Sequence, residues 1–341
     1  MARLRLLVVN AGSTSLKLSV VGDDDSTAPV SSLADAADAA DVDGVVHRVV
    51  HGGPHLREPV VLGEDVRAEL ERATELAPLH NAPALEAIDR ARAALPDVPH
   101  VAVFDTAFHA TIPEAASTYA LPQRWRDEWG IRRYGFHGLS VAWAAERVPV
   151  SRLVVCHLGG GCSITAVQDG RSVDTTMGFT PLEGVPMATR PGSIDPEILL
   201  YLLRRGAETP ESLEQALQHE SGLLALGGTT RVEELETLDE PGARLALVVF
   251  CYRVAAAVAS MAAALGGLDA LVFTAGIGEG SAPVRAWVCS RLAFLGVRLE
   301  PGANEGATPD VDVAAADSAV RVRVVHAQED VVAARAARPL L

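Results

Sequence analysis

Residues 3–21 read Arg3-Leu-Arg-Leu-Leu-Val-Val-Asn-Ala-Gly-Ser-Thr-Ser-Leu-Lys-Leu-Ser-Val-Val21. An apolar run ends in a Gly/Ser-rich turn and an alternating run follows, which predicts a β-hairpin. The same order returns in Leu153-Val-Val-Cys-His-Leu-Gly-Gly-Gly-Cys-Ser-Ile-Thr-Ala-Val167. Each half then offers another strand, at 45–50 and at 171–176, before helices alternate with strands. In the first half, helices are expected at 65–74, 82–94 and 139–148, with a strand at 100–106 whose apolar run ends at Asp105. In the second, helices are expected at 196–204, 211–219, 243–264, 284–295 and 329–337, with strands at 271–274 and 320–326. One order of elements used twice, without evident sequence identity, predicts a duplicated α/β fold with two lobes and a central cleft. The expected lobes are residues 1–149 and 150–329, with the final helix (about 330–341) returning to the first. Residues 31–43 and 300–317, rich in Ala, Asp, Pro and Gly, are expected to be surface loops.

The chain has 341 residues, 49% hydrophobic and 21% charged, which fits about two globular domains and excludes wholesale disorder. Its 29 Lys+Arg against 44 Asp+Glu leave a net charge of −15, so nucleic acid is not an expected partner. Four cysteines in no metal-binding or CxxC spacing suggest reduced, buried thiols in a cytoplasmic protein. The run 245–265 is membrane-like, but Arg253 interrupts it. A buried core helix is expected there, and no membrane partner. His47, His51 and His55 recur every four residues, yet Gly52-Gly53-Pro54 rules out the helix such a metal site needs.

Of the 29 basic residues 28 are Arg, and the single Lys is Lys17. In a chain where Arg has replaced Lys so thoroughly, a surviving Lys suggests a compact point charge on a phosphate. Three Gly-rich turns, at 10–15, 159–163 and 275–279, follow expected strands. Such turns let backbone N–H groups approach phosphate oxygens. None matches a Walker or dinucleotide fingerprint. Arg48, Asp105, His137 and Arg190 each stand at a strand end or in a Gly/Pro-rich loop, where functional groups concentrate.

Asn10-Ala-Gly-Ser-Thr-Ser-Leu-Lys17 resembles the opening signature of the acetate kinase family (acetate/propionate kinases). Asp174-Thr-Thr-Met-Gly-Phe-Thr-Pro-Leu-Glu-Gly184 with Thr189-Arg190 resembles its second signature. Segments at 47–53, 79–81, 104–109, 134–138, 157–161, 273–279 and 329–335 follow in the family's order. The resemblance implies the actin-like/ribonuclease H-like duplicated fold of sugar kinases, Hsp70 and actin. It implies reversible transfer of the ATP γ-phosphoryl group to a short-chain carboxylate, acetate or propionate, giving acyl phosphate and ADP.

By the same resemblance, Asp105, His137 and Arg190 are catalytic. Arg48 binds the carboxylate, and Val50, Leu79, Phe136 and Pro181 wall its methyl end. Lys17, His157, Leu158, Gly159, Gly160, Gly161, Thr229, Thr230, Arg231, Ala275, Gly276, Ile277, Gly278 and Glu279 fall on nucleotide-binding stretches. Asn10 and Glu329 belong near Mg²⁺, with Mn²⁺ as a substitute, and a homodimer is implied. The carboxylate is already ionised at neutral pH, so Asp105 is expected to order Mg²⁺, its waters or Arg side chains rather than act as a base. The chain departs from the family in being short, in having Gly160 and Gly280 where Asn is usual, and in Thr229-Thr230-Arg231. These changes leave open a pyrophosphate-using or butyrate-type kinase, or a non-catalytic nucleotide-binding regulator.

Overall fold

The computed structural model describes residues 4–11, 16–38, 42–74 and 78–341, with backbone only at 37, 38 and 78–80. Twelve strands among them form two six-stranded sheets. The first contains β1 (Arg5–Ala11), β2 (Leu16–Gly22), β3 (Thr27–Val30), β4 (Gly44–Val49), β5 (Val60–Val61) and β6 (His100–Phe104), in the order β3-β2-β1-β4-β6-β5. The second contains β7 (Arg152–Leu158), β8 (Cys162–Gln168), β9 (Arg171–Thr175), β10 (Ala270–Thr274), β11 (Val311–Asp312) and β12 (Arg321–Val324). Its order, read from the other edge, is β9-β8-β7-β10-β12-β11. The two sheets therefore repeat strand for strand: an antiparallel three-strand meander, two parallel strands, and a short antiparallel edge. β6 and β10 are buried along their whole length, as parallel strands covered on both faces must be.

One core joins the sheets. Leu6, Val46 and Val103 of the first and Val155 and Val272 of the second pack with Val141 and Ala144 of the helix Gly138–Arg147 and with Val331 and Ala334 of the helix Glu329–Ala337. The last helix also lies against β1, β2, β4 and β6. A second core surrounds the helix Pro241–Ala264 and takes in side chains of β7, β8, β10 and β12. That helix is long and apolar enough to span a membrane, but it buries Ala246, Phe250, Val254, Val258 and Met261 in this core.

Several expectations are corrected. The third meander strand of the first half is β3, whereas the run at 45–50 is the parallel strand β4. Residues 31–43 include a helix, Leu33–Asp38, which buries Leu33 and Ala36. Residues 300–317 hold the helix Pro301–Glu305 and the edge strand β11. Buried Asn304 there accepts 2.8 Å hydrogen bonds, at its side-chain and backbone oxygens, from the buried Arg285 guanidinium. The Gly-rich turn expected at 275–279 is a short helix, Ala275–Gly280.

Candidate active site

Ligands of open α/β sheets bind beyond the carboxyl ends of the parallel strands. Asn10 pairs with Arg48 across β1 and β4, and Val49 pairs with Phe104 across β4 and β6, which puts Asp105 one residue past β6. The Arg48 guanidinium donates from Nε to Asp105 Oδ1 at 2.8 Å and from Nη2 to Asp105 Oδ2 at 2.7 Å, a bidentate fork. Its Nη1 donates to Asn10 Oδ1 at 3.1 Å and stands 3.1 Å from Glu329 Oε2. Asn10 Nδ2 in turn donates to Asp330 Oδ1 at 3.4 Å, and Ser19 Oγ donates to Asp330 Oδ2 at 2.7 Å. Burial works against the charge on Arg48, but Asp105 and Glu329 outweigh it and hold the guanidinium above its ordinary range. Burial, reinforced by Asp105 and Asp330 and opposed by Arg48, pushes the Glu329 carboxyl up. Arg48 thus meets protein carboxylates here, where the resemblance implies a substrate carboxylate.

His137 precedes the helix Gly138–Arg147 with left-handed backbone (φ 60°, ψ 23°). Gly138 follows because a Cβ there would sit 2.2 Å from the Asp105 carbonyl oxygen, which accepts the Gly138 N–H at 2.9 Å. His137 is thereby fixed beside Asp105. Its ring stacks on His157, centroids 4.0 Å apart, at the end of β7. A Cβ added to Gly161 would lie 3.3 Å from His137 Nε2 and 3.6 Å from Arg190 Nη1, so all three converge on one spot. Arg190 Nη1 also donates to the Pro181 carbonyl at 3.3 Å. Burial first, then the neighbouring His157, Arg48 and Arg190, pushes the His137 pKa well below its ordinary value, so the imidazole is neutral near pH 7. A neutral imidazole and a guanidinium aimed at one point suit the developing charge of a transferring oxyanion, provided the imidazole presents its N–H.

The turn Gly159–Gly161 and the helix Ala275–Gly280 face each other at the ends of the neighbouring strands β7 and β10: a Cβ on Gly159 would meet Ala275 Cβ at 3.6 Å. Glu279 accepts from the Ala275 and Ala327 backbone N–H groups, both at 2.9 Å, and ties these ends together.

A family model described as "Acetokinase family" matches residues 34–335. The acetate kinase of Gloeobacter violaceus is 49% identical over 312 residues, covering 88% of this chain and 77% of the relative. A crystal structure of a propionate kinase from Francisella tularensis superimposes with a TM-score of 0.91 at 32% identity, covering 98% of each chain. That of Porphyromonas gingivalis acetate kinase gives 0.87 at 30%, covering 99% of each. The chain belongs to the acetokinase family. It is accordingly a phosphotransferase whose acceptor is a carboxyl group, on the duplicated two-lobed fold.

Within this acetokinase fold three of the four expected apolar-wall side chains are described. Phe136 is buried, with its ring edge-on to His51 at 5.4 Å, Pro181 is buried beside Arg190, and Val50 packs against the same core as Phe136. The Leu79 side chain and residues 12–15 of the first turn lie outside the described residues. Lys17 is exposed on β2, opposite Asn10. Leu158 and Ile277 bury their side chains in the second core, which leaves only their backbone for a nucleotide. Thr229 and Arg231 are tied to Glu234, at 2.5 and 3.1 Å.

The sequence reading missed Asp330, the partner of Asn10, although it adjoins Glu329. It also missed the hydroxyls that hold histidines: Ser163 on His137 at 3.0 Å, Ser140 on His157 at 2.8 Å and Ser172 on His109 at 2.8 Å. Serines 17 to 63 positions distant in sequence leave no local signal of such pairing.

Proposed function

We propose that this acetokinase transfers the γ-phosphoryl group of ATP reversibly to acetate, with propionate as the alternative acceptor, giving acyl phosphate and ADP. The observation that carries this reading is the convergence of His137 Nε2 and Arg190 Nη1 beside the Gly159–Gly161 turn. Phosphoryl transfer asks for alignment and charge neutralisation more than for covalent help. His137 and Arg190 hydrogen-bond the equatorial oxygens in this role. Asp105 orients Arg48 through the bidentate fork. Substrate reaches Arg48 by displacing Glu329, its outer partner, while the Asp105 pair stays. Val50, Leu79, Phe136 and Pro181 close the methyl end, where one added methylene is worth about 1–3 kcal/mol.

Asn10, Glu329 and Asp330 offer hard oxygen donors near Arg48, and burial, with Asp105 and Asp330 adding to it, pushes the Glu329 carboxyl up. Such a set fits Mg²⁺, with Mn²⁺ as a substitute. When bound, the cation neutralises phosphate charge. Lys17, the two glycine-bearing segments after β7 and β10, and Thr229–Arg231 serve the nucleotide. The four free, buried cysteines support a cytoplasmic setting. Exposed apolar side chains on two helices, Ile198, Leu200 and Tyr201 on one and Leu245, Val248 and Tyr252 on the other, support a homodimer, which light scattering reads directly.

Hydroxamate trapping with acetate, propionate and butyrate, in the presence of ATP and Mg²⁺, tests the reading. Acyl phosphate should form from acetate most readily, and none from any of the three would overturn it. Replacing ATP by GTP or pyrophosphate in the same assay tests the donor, and strict ATP dependence is expected.

A further inference from the structure

Ser163 lies in β8 directly after the glycine turn and is fully buried. Its Oγ stands 3.0 Å from His137 Nδ1, and among the described residues it meets no other side-chain or backbone partner. In a neutral imidazole one nitrogen carries the proton and the other accepts, and the partner of one nitrogen decides the state of the other. Two arrangements are open here. If Nδ1 held the proton, Ser163 Oγ would accept it, and the buried Ser163 O–H would itself lack an acceptor. A buried donor left without an acceptor loses its bonds to water with nothing in return. Nε2 would then present a bare lone pair toward Arg190 and Gly161, where the proposed reaction places phosphate oxygens. If Ser163 donates to Nδ1, both conditions reverse: the hydroxyl is satisfied and Nε2 carries the hydrogen.

We propose that Ser163 is a positioning residue that fixes His137 as the Nε2–H tautomer and so makes it a hydrogen-bond donor to the transferring phosphoryl group. The inference rests on the role given to His137 in the proposed function. The β7–β8 ladder supports it, since Ser163 is paired with His157, the residue whose ring stacks on His137. One strand pair thus holds the imidazole both by its face and at Nδ1, leaving Nε2 for the cleft.

Long-range ¹H–¹⁵N correlation spectra of the full-length enzyme, labelled on histidine and with His137 assigned by substitution, report the tautomer. The wild type should show His137 protonated on Nε2, and an Nδ1–H signal would overturn the proposal. Ser163→Ala should lower kcat about tenfold with little change in either KM, and should bring up the Nδ1–H form. Ser163→Thr should restore both the tautomer and turnover. Wild-type kcat in Ser163→Ala would also overturn it. Should Ser163→Ala not fold, the wild-type and Ser163→Thr spectra still decide the matter. A wild-type enzyme that forms no acyl phosphate would remove the proposed reaction, while the tautomer is read independently from its spectrum.

Discussion

Asp105 spends both carboxylate oxygens on one guanidinium, with only 1% of the residue exposed. Removing one partner of such a buried pair typically costs about 3–5 kcal/mol, because the other charge is left uncompensated. Asp105→Asn keeps the shape and loses the charge. We expect kcat to fall about 100-fold and the carboxylate KM to rise, as Arg48 loses its fixed orientation. Steady-state kinetics with near-normal values would show that the charge is dispensable. Lys17 gives a second prediction at this scale. It faces Asn10 at the mouth of the first hairpin, and its charge draws the Glu329 pKa down. A forked guanidinium does not reproduce a compact ammonium there, so Lys17→Arg should lower kcat, and wild-type turnover would make the lone Lys a coincidence. Arg48 and Asp105 were legible as charged groups at strand ends, and Lys17 as the single Lys of the chain. Their pairing was not: Arg48 and Asp105 are 57 positions apart, and only the parallel register of β4 and β6 makes them neighbours.

The glycine turn after β7 shows what an element decides that a residue does not. A Cβ added to Gly160 would meet nothing within 4 Å, whereas one on Gly161 would face His137 and Arg190 at 3.3 and 3.6 Å. Gly160→Asn should therefore fold normally and, by returning a side-chain amide to the phosphate turn, lower the KM for ATP. Gly161→Ala should fold but lose kcat, since the methyl occupies the spot on which both donors converge. A matched pair of kinetic measurements checks this, and equal effects of the two changes would contradict the geometry. Elements with strong apolar runs, such as β1, β6, β7 and β10, were readable because burial on both faces leaves a continuous hydrophobic string. Edge strands were not: β5 and β11 have two residues each and exist by pairing with β6 and β12. The helix Ala275–Gly280 was also hidden, because three of its six residues are Gly. It is held by Glu279 accepting from the Ala275 and Ala327 N–H groups and by Arg285 donating to the Gly278 and Glu279 carbonyls.

Across the whole molecule, burial of histidine couples stability to pH. Burial, with His100 and Arg92 adding to it, lowers the His47 pKa to about 3. Burial also lowers His109 to about 4 and, with Arg48, His157 to about 3, and His137 lies well below its ordinary value. In the unfolded chain these groups titrate near 6.5. Between that value and about 4 the unfolded state binds protons that the folded state refuses, so stability falls as pH drops through this window and is fully present above it. Each such histidine contributes roughly 1.4 kcal/mol per pH unit below 6.5. Asp25 and Asp269, whose pKa values are lowered chiefly by hydrogen bonds from Arg335 and Arg152, act in the same direction but only below the ordinary carboxylate range. The two effects therefore separate along the pH axis. Thermal melting without ligands should show Tm level from pH 8 to 7 and falling steadily from about 6.5 to 4.5. His47 provides the control, because it pairs with His100 at 2.9 Å on β4 and β6 and is none of the residues proposed as catalytic. In His47→Gln the slope between pH 6.5 and 5 should shrink by about one proton, even if the variant starts from a lower Tm. A Tm that is flat from pH 7 to 5 in the wild type would mean that these imidazoles ionise in the folded protein. The neutral state assigned to His137, on which its role as a donor depends, would then fail with it.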